Sequence, residues 1–323
     1  MQSLVQIQSL IQTELQFFED KFRSAVQSRV PLLDRIMQYV IKRKGKQMRP
    51  MFVFLSARMF GPVTEATYRA AALVELLHTA TLVHDDVVDE SFERRGFFSI
   101  NALWKNKVAV LVGDYLLSKG LLLSLRNNDF EILKILSEAV EKMSEGELLQ
   151  IERSRQLNLS EEVYFEIITN KTASLLASAC GAGTWSATGD AEKTRLMKQF
   201  GEKAGIAFQI KDDLFDYGGA TAGKPTGNDI KEKKLTLPLI YTLNTCSKAR
   251  KRELIYILKN ENRKKKMVQE VIDEVHASGG IDYAKEQMLR YRHEALQLLQ
   301  QLPENEIRNG LEQLVIFTTE RSY

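Results

Sequence analysis

The sequence predicts an all-α protein. Apolar residues recur every three to four positions over most of the chain, and no convincing run of strict alternation appears. Only six prolines interrupt 323 residues, and Pro50, Pro62 and Pro303 fall at expected helix starts or loops. The three-to-four period is carried by segments 71–88, 103–125, 130–151, 163–182, 194–215, 235–245, 268–275 and 281–302. Roughly ten or more helices are expected in all.

Each segment has its own justification. Segment 71–88 is apolar on most faces and runs into an acidic pentad. Segment 103–125 holds the most apolar long stretch, 108–125. Asp114 and Lys119 inside that stretch argue for a buried core helix and against a membrane span. Segment 163–182 is rich in Ala, Ser and Gly after Lys171, which suits a helix packed closely against its neighbours. Segment 194–215 ends in a second acidic pentad. Residues 1–22 alternate apolar side chains with Gln, Glu and Asp at helical spacing, a pattern of neither a signal peptide nor an anchor. No Pro/Gly/Ser-rich linker interrupts the chain, so one large helical bundle with a central apolar cavity, a single domain over 1–323, is expected.

Composition excludes several functions. The chain is 44% hydrophobic and 27% charged, ordinary values for a globular protein, and its net charge of +3 is too small to argue for nucleic acid. The one dense basic block, Arg263 to Lys266, reads as a solvated helix or loop. Cys180 and Cys246 form no C-x-x-C and no spaced framework, so they read as buried thiols of a reducing, cytoplasmic compartment. The four histidines form no zinc pattern.

The two pentads carry the chemistry. They read Asp85-Asp86-Val87-Val88-Asp89 and Asp212-Asp213-Leu214-Phe215-Asp216. Three carboxylates inside an apolar run are costly unless compensated. On a helix, residues i and i+4 share a face, so each pentad aims at least two carboxylates at one point. Two such clusters facing each other suit hard divalent cations, and Mg²⁺ above all, because it accepts few carboxylates and completes its shell with water and phosphate. One pentad alone would be a solvated acidic helix end. Here cations bracket both: Lys46 and Arg49 upstream, Arg94 and Arg95 after the first, Lys224, Lys233 and Lys234 after the second. Acids and bases so interleaved are expected to meet a bridging polyanion such as diphosphate.

Ordered motifs extend the pattern: Gly45-Lys46-x-x-Arg49-Pro50; Glu75-Leu-Leu-His78; the first pentad after His84; Arg94-Arg95-Gly96; Gly113-Asp114-Tyr115; Gly146-Glu147 with Gln150; Lys171-Thr172-Ala173; Phe208-Gln209-Ile210 before the second pentad; Gly223-Lys224-Pro225; and Asp229-x-x-x-x-Lys234-x-Thr236-Leu237-Pro238. In this order the chain closely resembles the trans-isoprenyl diphosphate synthase family, of the long-chain type. The resemblance covers roughly residues 40 to 240. It implies the isoprenoid synthase helical fold and an enzyme that joins isopentenyl diphosphate head-to-tail to an allylic diphosphate. It also implies roles. Asp85, Asp89 and Asp212 would ligate Mg²⁺ directly, three ions per site with Mn²⁺ as a substitute, and Asp86, Asp213 and Asp216 would support them. Arg94, Lys171, Lys224 and Lys234 would hold the allylic diphosphate. Lys46, Arg49, His78 and Arg95 would hold isopentenyl diphosphate, and Thr172 and Gln209 would face the reacting carbons. The family commonly has glycine where Lys233 stands, so either Lys233 or Lys234 could reach phosphate, and register favours Lys234. Homodimers are usual for the family.

Product length is expected to follow from Ala80 and Thr81, five and four residues before Asp85. In the resembling family an aromatic residue there blocks the product tunnel, and here both side chains are small. Leu77 and Val74 would line deeper turns, with Ile132, Leu136, Ala139, Val140 and Met143 opposite. A C30–C40 product is expected, with C20 as the alternative. His84, His276 and His293 are read as structural or surface residues, and Gly113-Asp114-Tyr115 as packing. Two rivals are a terpene cyclase, which would need no isopentenyl diphosphate site, and a non-catalytic partner subunit, which would have lost aspartates.

Overall fold

The computed structural model describes residues 4–42, 45–94, 96–157, 160–218 and 227–320. In chain order the helices are α1 (Leu4–Ser9), α2 (Gln12–Val26), α3 (Pro31–Lys42), α4 (Met48–Arg58), α5 (Glu65–Val88), α6 (Ile100–Leu125), α7 (Phe130–Gln156), α8 (Glu161–Ile168), α9 (Ser174–Thr188), α10 (Ala191–Phe215), α11 (Asn228–Lys231), α12 (Leu237–Thr245), α13 (Lys248–Tyr256), α14 (Lys265–Ala277), α15 (Gly280–Gln300) and α16 (Glu306–Glu320). Single π-helical turns occupy Thr169–Ala173 and Ile257–Glu261. The all-α expectation is borne out. Among the described residues the only strands are β1 (Glu93–Arg94) and β2 (Phe97–Phe98), a two-residue antiparallel ribbon around Gly96. It is too short to leave an alternating pattern in the sequence.

Two compact units are formed: Met1–Val140 with Ser178–Lys198 and Glu304–Leu311, and Glu141–Ala177 with Gln199–Pro303 and Glu312–Tyr323. In the first unit α5 is the organising element. Thr64 caps it through a reciprocal box with Thr67, whose hydroxyl also meets Ser186 at 2.7 Å. Its apolar face is buried against α4 and α6. Arg69 of α5 is anchored by the Asp129 carboxylate through both Nε and a second guanidinium nitrogen, the latter at 3.0 Å. A second core gathers Ala80 and Val83 of α5 with Ile36 and Met37 of α3 and Val112 and Leu116 of α6.

α6 departs from the buried core helix expected over 108–125. Only one face is buried, through Ile100, Ala109, Val112, Leu116 and Gly120. The other presents Leu103, Val110, Leu111, Leu121, Leu122 and Leu125, with Leu111 67% exposed. A sequence apolar on all faces cannot say how many of them the same chain covers. By length and composition α6 is the one described helix that could cross a membrane. Exposed Lys107, Asp114 and Ser118 interrupt its outward face about once per turn, which does not suit lipid tails.

In the second unit α12 is surrounded by α8, α13, α14 and α15. Leu237, Leu239, Ile240 and Leu243 of α12 join Val268, Val271, Ile272 and Val275 of α14 in its core, which continues through Ile206 and Ile210 of α10. Proline at the start of α12 removes an N–H that would lack a helical partner.

Small residues allow close backbone approach, as the composition of segment 163–182 implied. A Cβ on Gly183 of α9 would stand 2.2 Å from the Val53 carbonyl oxygen of α4. That oxygen belongs to a rigid helix backbone and cannot swing away. Gly183→Ala is therefore expected to destabilise the protein by about 2–3 kcal/mol. Urea unfolding followed by circular dichroism checks this, and a midpoint unchanged from wild type would contradict the packing.

Candidate active site

Each pentad closes a long helix, as the sequence indicated. In the first unit Asp85 and Asp86 lie in the last turn of α5 and Asp89 is its C-cap, with its N–H donating to the Asp85 carbonyl at 2.8 Å. The chain beyond is pinned by Asn101 of α6, whose amide donates to the carbonyl oxygens of Asp86 (3.0 Å) and Ser91 (3.1 Å). Ser99 caps α6 and its hydroxyl also donates to the Ser91 carbonyl at 2.8 Å. The Nε2 side of His84 packs on Gly113, where a Cβ would lie 2.1 Å from that nitrogen, and the same nitrogen is 3.2 Å from the Val110 carbonyl oxygen. The structural readings of His84 and of Gly113 are thereby borne out. In the second unit Asp212 and Asp213 end α10, and Asp216 follows in the turn after it.

The two pentads bury the same position. Asp86 and Asp213, the second acid of each, are buried, whereas Asp89 and Asp212 are exposed and Asp85 and Asp216 half-buried. The helix rotates about 100° per residue, so the second acid turns into the packed face while its neighbour stays accessible. Asp213 is held by two donors, the Tyr164 hydroxyl at 2.7 Å and the Gln209 amide at 2.8 Å. Gln209 in turn accepts from the Thr172 hydroxyl at 2.7 Å. The result is a chain from α8 through α10 to the π turn. Asp216 accepts backbone N–H groups of Asn228 (2.8 Å) and Asp229 (3.0 Å), anchoring α11.

Thr172 and Lys171 sit on the π turn, a device that re-aims side chains within a continuous helix and recurs at functional sites. Two glycines set the turn in place. A Cβ on Gly146 of α7 would lie 2.9 Å from the Lys171 nitrogen, and one on Gly205 of α10 would lie 2.6 Å from the Ala173 Cα. Lys171 forms a close ion pair with Glu147 and donates to Gln150 at 3.4 Å.

A cavity of about 180 Å³ opens within this unit. Its lining includes Lys171, Thr172, Gln209, Asp212, Asp213 and Lys234, six of the residues singled out from sequence. It also includes Gln150, Arg153, Tyr164 and Asp229, which had no assigned role. Gln150 and Asp229 belonged to quoted motifs. Tyr164 and Arg153 carried no signal, because a tyrosine or an arginine on a helix is ordinary until its neighbours are known.

Lys233 and Lys234 separate cleanly. Lys234 lines the cavity and its ammonium lies 2.5 Å from Glu232, while Lys233 donates to the Lys259 carbonyl oxygen at 2.9 Å. Lys233 also holds φ at 59°, the left-handed region that favours glycine. The resembling family's usual glycine at this place thus has a backbone reason.

Lys46 precedes α4, Arg49 lies in its first turn, and His78 lies on α5, which packs against α4. Gln47 between the first two holds φ at 52° as the N-cap, the constrained loop anticipated from Gly45 and Pro50. Ala80 is fully buried, and half-buried Thr81 donates its hydroxyl to the His78 carbonyl at 2.9 Å. Arg95 and Lys224 lie outside the described residues, as does the side chain of Arg94.

Two carboxyls of the cavity are raised above the ordinary range. Burial pushes the Asp213 carboxyl well above the ordinary carboxylate range, against the pull of Tyr164 and Gln209, with Asp212 adding to the rise. Asp229 is likewise raised by burial, and by Asp213 and Asp216. Among the described residues no three His, Cys, Asp or Glu side chains converge on one point. Asp212, an exposed carboxylate lining the cavity with Lys171 and Lys234, fits Mg²⁺, which takes one or two carboxylates and fills its shell with water and substrate phosphate.

The sequence signature of the Polyprenyl synthetase family matches residues 30–275. The chain belongs to that family. It is 32% identical to the octaprenyl diphosphate synthase of Haemophilus influenzae over 323 residues, covering 99% of this chain and 98% of that one. Its structure matches the crystal structure of a decaprenyl diphosphate synthase from Rhodobacter capsulatus with a TM-score of 0.94, at 31% identity over 99% of this chain and 100% of that one. It also matches a geranylgeranyl pyrophosphate synthase from Bacteroides thetaiotaomicron, with a TM-score of 0.84, at 38% identity over 99% of this chain and 100% of that one. The isoprenoid synthase fold and prenyltransferase activity follow from the family, which is generally metal-dependent.

The raised carboxyls of this polyprenyl synthetase have a consequence for stability. A carboxyl whose pKa is higher folded than unfolded binds more protons in the folded state. Its contribution is therefore present at low pH and is lost as pH rises above the ordinary carboxylate range. Without divalent metal, the thermal midpoint of the wild type is expected to fall more steeply with pH than that of Asp213→Asn. Scanning calorimetry across pH checks this, and parallel slopes would contradict it.

Proposed function

We propose that this prenyltransferase elongates an allylic diphosphate such as farnesyl diphosphate with isopentenyl diphosphate, giving a long all-trans chain of C30–C40. One observation carries the reading: the cavity in which Lys171, Lys234, Asp212, Asp213 and the Thr172–Gln209 pair come together. Lys171 and Lys234 bind the allylic diphosphate, each exchanging a carboxylate of its own chain for phosphate oxygen. Thr172 and Gln209, held by their mutual hydrogen bond and by Asp213, place a hydroxyl and an amide dipole beside the carbons where positive charge develops. Lys46, Arg49 and His78 hold isopentenyl diphosphate.

By family resemblance Asp85, Asp89 and Asp212 would hold Mg²⁺, three ions per site. Burial of Asp86 and Asp213 supports a positioning role for them. Bound Mg²⁺ supplies neutralisation of the charge that grows on the leaving diphosphate. No protein nucleophile is required. Water, which would quench a carbocation, has to be excluded once substrate is bound, and Ile167, Ile168 and Leu235 are the apolar part of the lining that contributes to this.

The small residues at 80 and 81 support a long product. Ala80, Leu77, Val74 and Leu136 are all buried, so space along α5 is set by side chains and not by solvent. One helical turn advances about 5.4 Å, on the order of one extended isoprene unit. Relatives of both long and short product length match the chain, so the wall of α5 is the discriminating feature.

A homodimer fits the outward face of α6. Leu103, Val110, Leu111, Leu121, Leu122 and Leu125 give that face an apolar character, broken by Lys107, Asp114 and Ser118, which a second copy would cover.

Two outcomes are expected. Purified protein with Mg²⁺, isopentenyl diphosphate and farnesyl diphosphate gives a product ladder ending at C30–C40 by mass spectrometry. Chelating the metal abolishes it, and Ala80→Phe lowers the ceiling by at least one unit. A wild-type ladder stopping at C20 would refute the long product, and conversion of the starter to a cyclic hydrocarbon would favour a cyclase. Separately, light scattering is expected to give twice the chain mass for wild type and a shift toward single chains for Leu111→Glu. Single chains in both would rule out the α6 interface.

A further inference from the structure

Arg153 stands on α7 three residues beyond Gln150, on the same helix face, and both line the cavity. Its Nε is buried and has no hydrogen-bond partner among the described residues. A guanidinium N–H held from water without an acceptor is unfavourable, and nearly all such groups in folded proteins are paired. An acceptor that the described residues do not supply is therefore expected at this place.

The cavity's other groups narrow what that acceptor is. Lys171 and Lys234 each carry a carboxylate partner, Glu147 and Glu232. Both oxygens of Asp213 already accept hydrogen bonds from Tyr164 and Gln209. Asp212, the exposed acid of the second pentad, is left to face a divalent cation. Arg153, Lys171 and Lys234 then answer the requirement for an anion with several strong acceptor oxygens. Diphosphate presents these at the spacing a guanidinium fork accepts.

We propose that Arg153 is a further diphosphate-binding residue, donating its Nε–H to the diphosphate of the allylic substrate in the cavity that Lys171 and Lys234 also line. This rests on the prenyltransferase reading of that cavity. Gln150 then has two functions: it accepts from Lys171 and spaces Arg153 one turn along α7. Arginine at this position provides directional contact, which distinguishes it from the two lysines, whose ammonium groups act as point charges.

The test uses the full chain as wild type, Arg153→Gln and Arg153→Lys. Inorganic diphosphate with Mg²⁺ is titrated calorimetrically into each, and initial rates are measured while each substrate is varied in turn. Arg153→Gln is expected to weaken diphosphate binding on the order of tenfold. KM for farnesyl diphosphate should rise in step, and KM for isopentenyl diphosphate should stay unchanged. Arg153→Lys, keeping charge without the fork, is expected to lose less, and it serves if Arg153→Gln fails to fold. Wild-type diphosphate affinity in either folded variant would overturn the proposal, and so would an equal rise in both KM values. If the wild type elongates nothing, the prenyltransferase reading falls, while the diphosphate titration still decides the role of Arg153.

Discussion

The second unit depends on a carboxylate carried into an apolar helix wall. Asp213 is tolerable there only because Tyr164 and Gln209 both donate to it. Those two hydrogen bonds fix more than the acid. Gln209, with its amide nitrogen committed to Asp213, can present only its oxygen to Thr172, and so the π turn's hydroxyl is oriented by an acid one α10 turn away. Glycines at 146 and 205 let α7 and α10 approach that turn closely enough for the chain of contacts to close. A cavity lined by basic, acidic and amide groups is what remains when these constraints are met together.

The cavity is close to self-neutral. Lys171 and Lys234 lean on Glu147 and Glu232, and Asp213 and Asp229 are raised by burial and then by neighbouring acids. Mg²⁺ and diphosphate would reverse both conditions at once, the cation lowering the acids and the anion drawing the lysines. Charge is thus stored as internal pairs that substrate can displace, and each pair holds a flexible side chain near its working position in the meantime.

The helices and the acidic pentads were legible in the sequence. Segments 103–125 and 194–215 came within a few residues of α6 and α10, because a long apolar period of three to four has few other structural solutions. Segment 163–182 was read as one helix. It is α8, a π turn and α9, since an i→i+5 turn is stabilised by what packs on it and leaves no periodicity of its own. The outward face of α6 was misread as buried for a related reason: hydrophobicity measures the tendency to be covered and not the identity of the cover.

Sequence alone determined the all-α class and the positions of six aspartates at helix ends, because each follows from local spacing along one chain, and the order of its motifs carried the family resemblance. Tertiary structure decided which acid of each pentad is buried, that Tyr164 holds Asp213, that Lys234 and not Lys233 reaches the cavity, and that Arg153 stands there at all. Burial and partner choice are set by segments that meet across tens of residues, as Tyr164 meets Asp213, and close packing lets only a few side chains share so small a space.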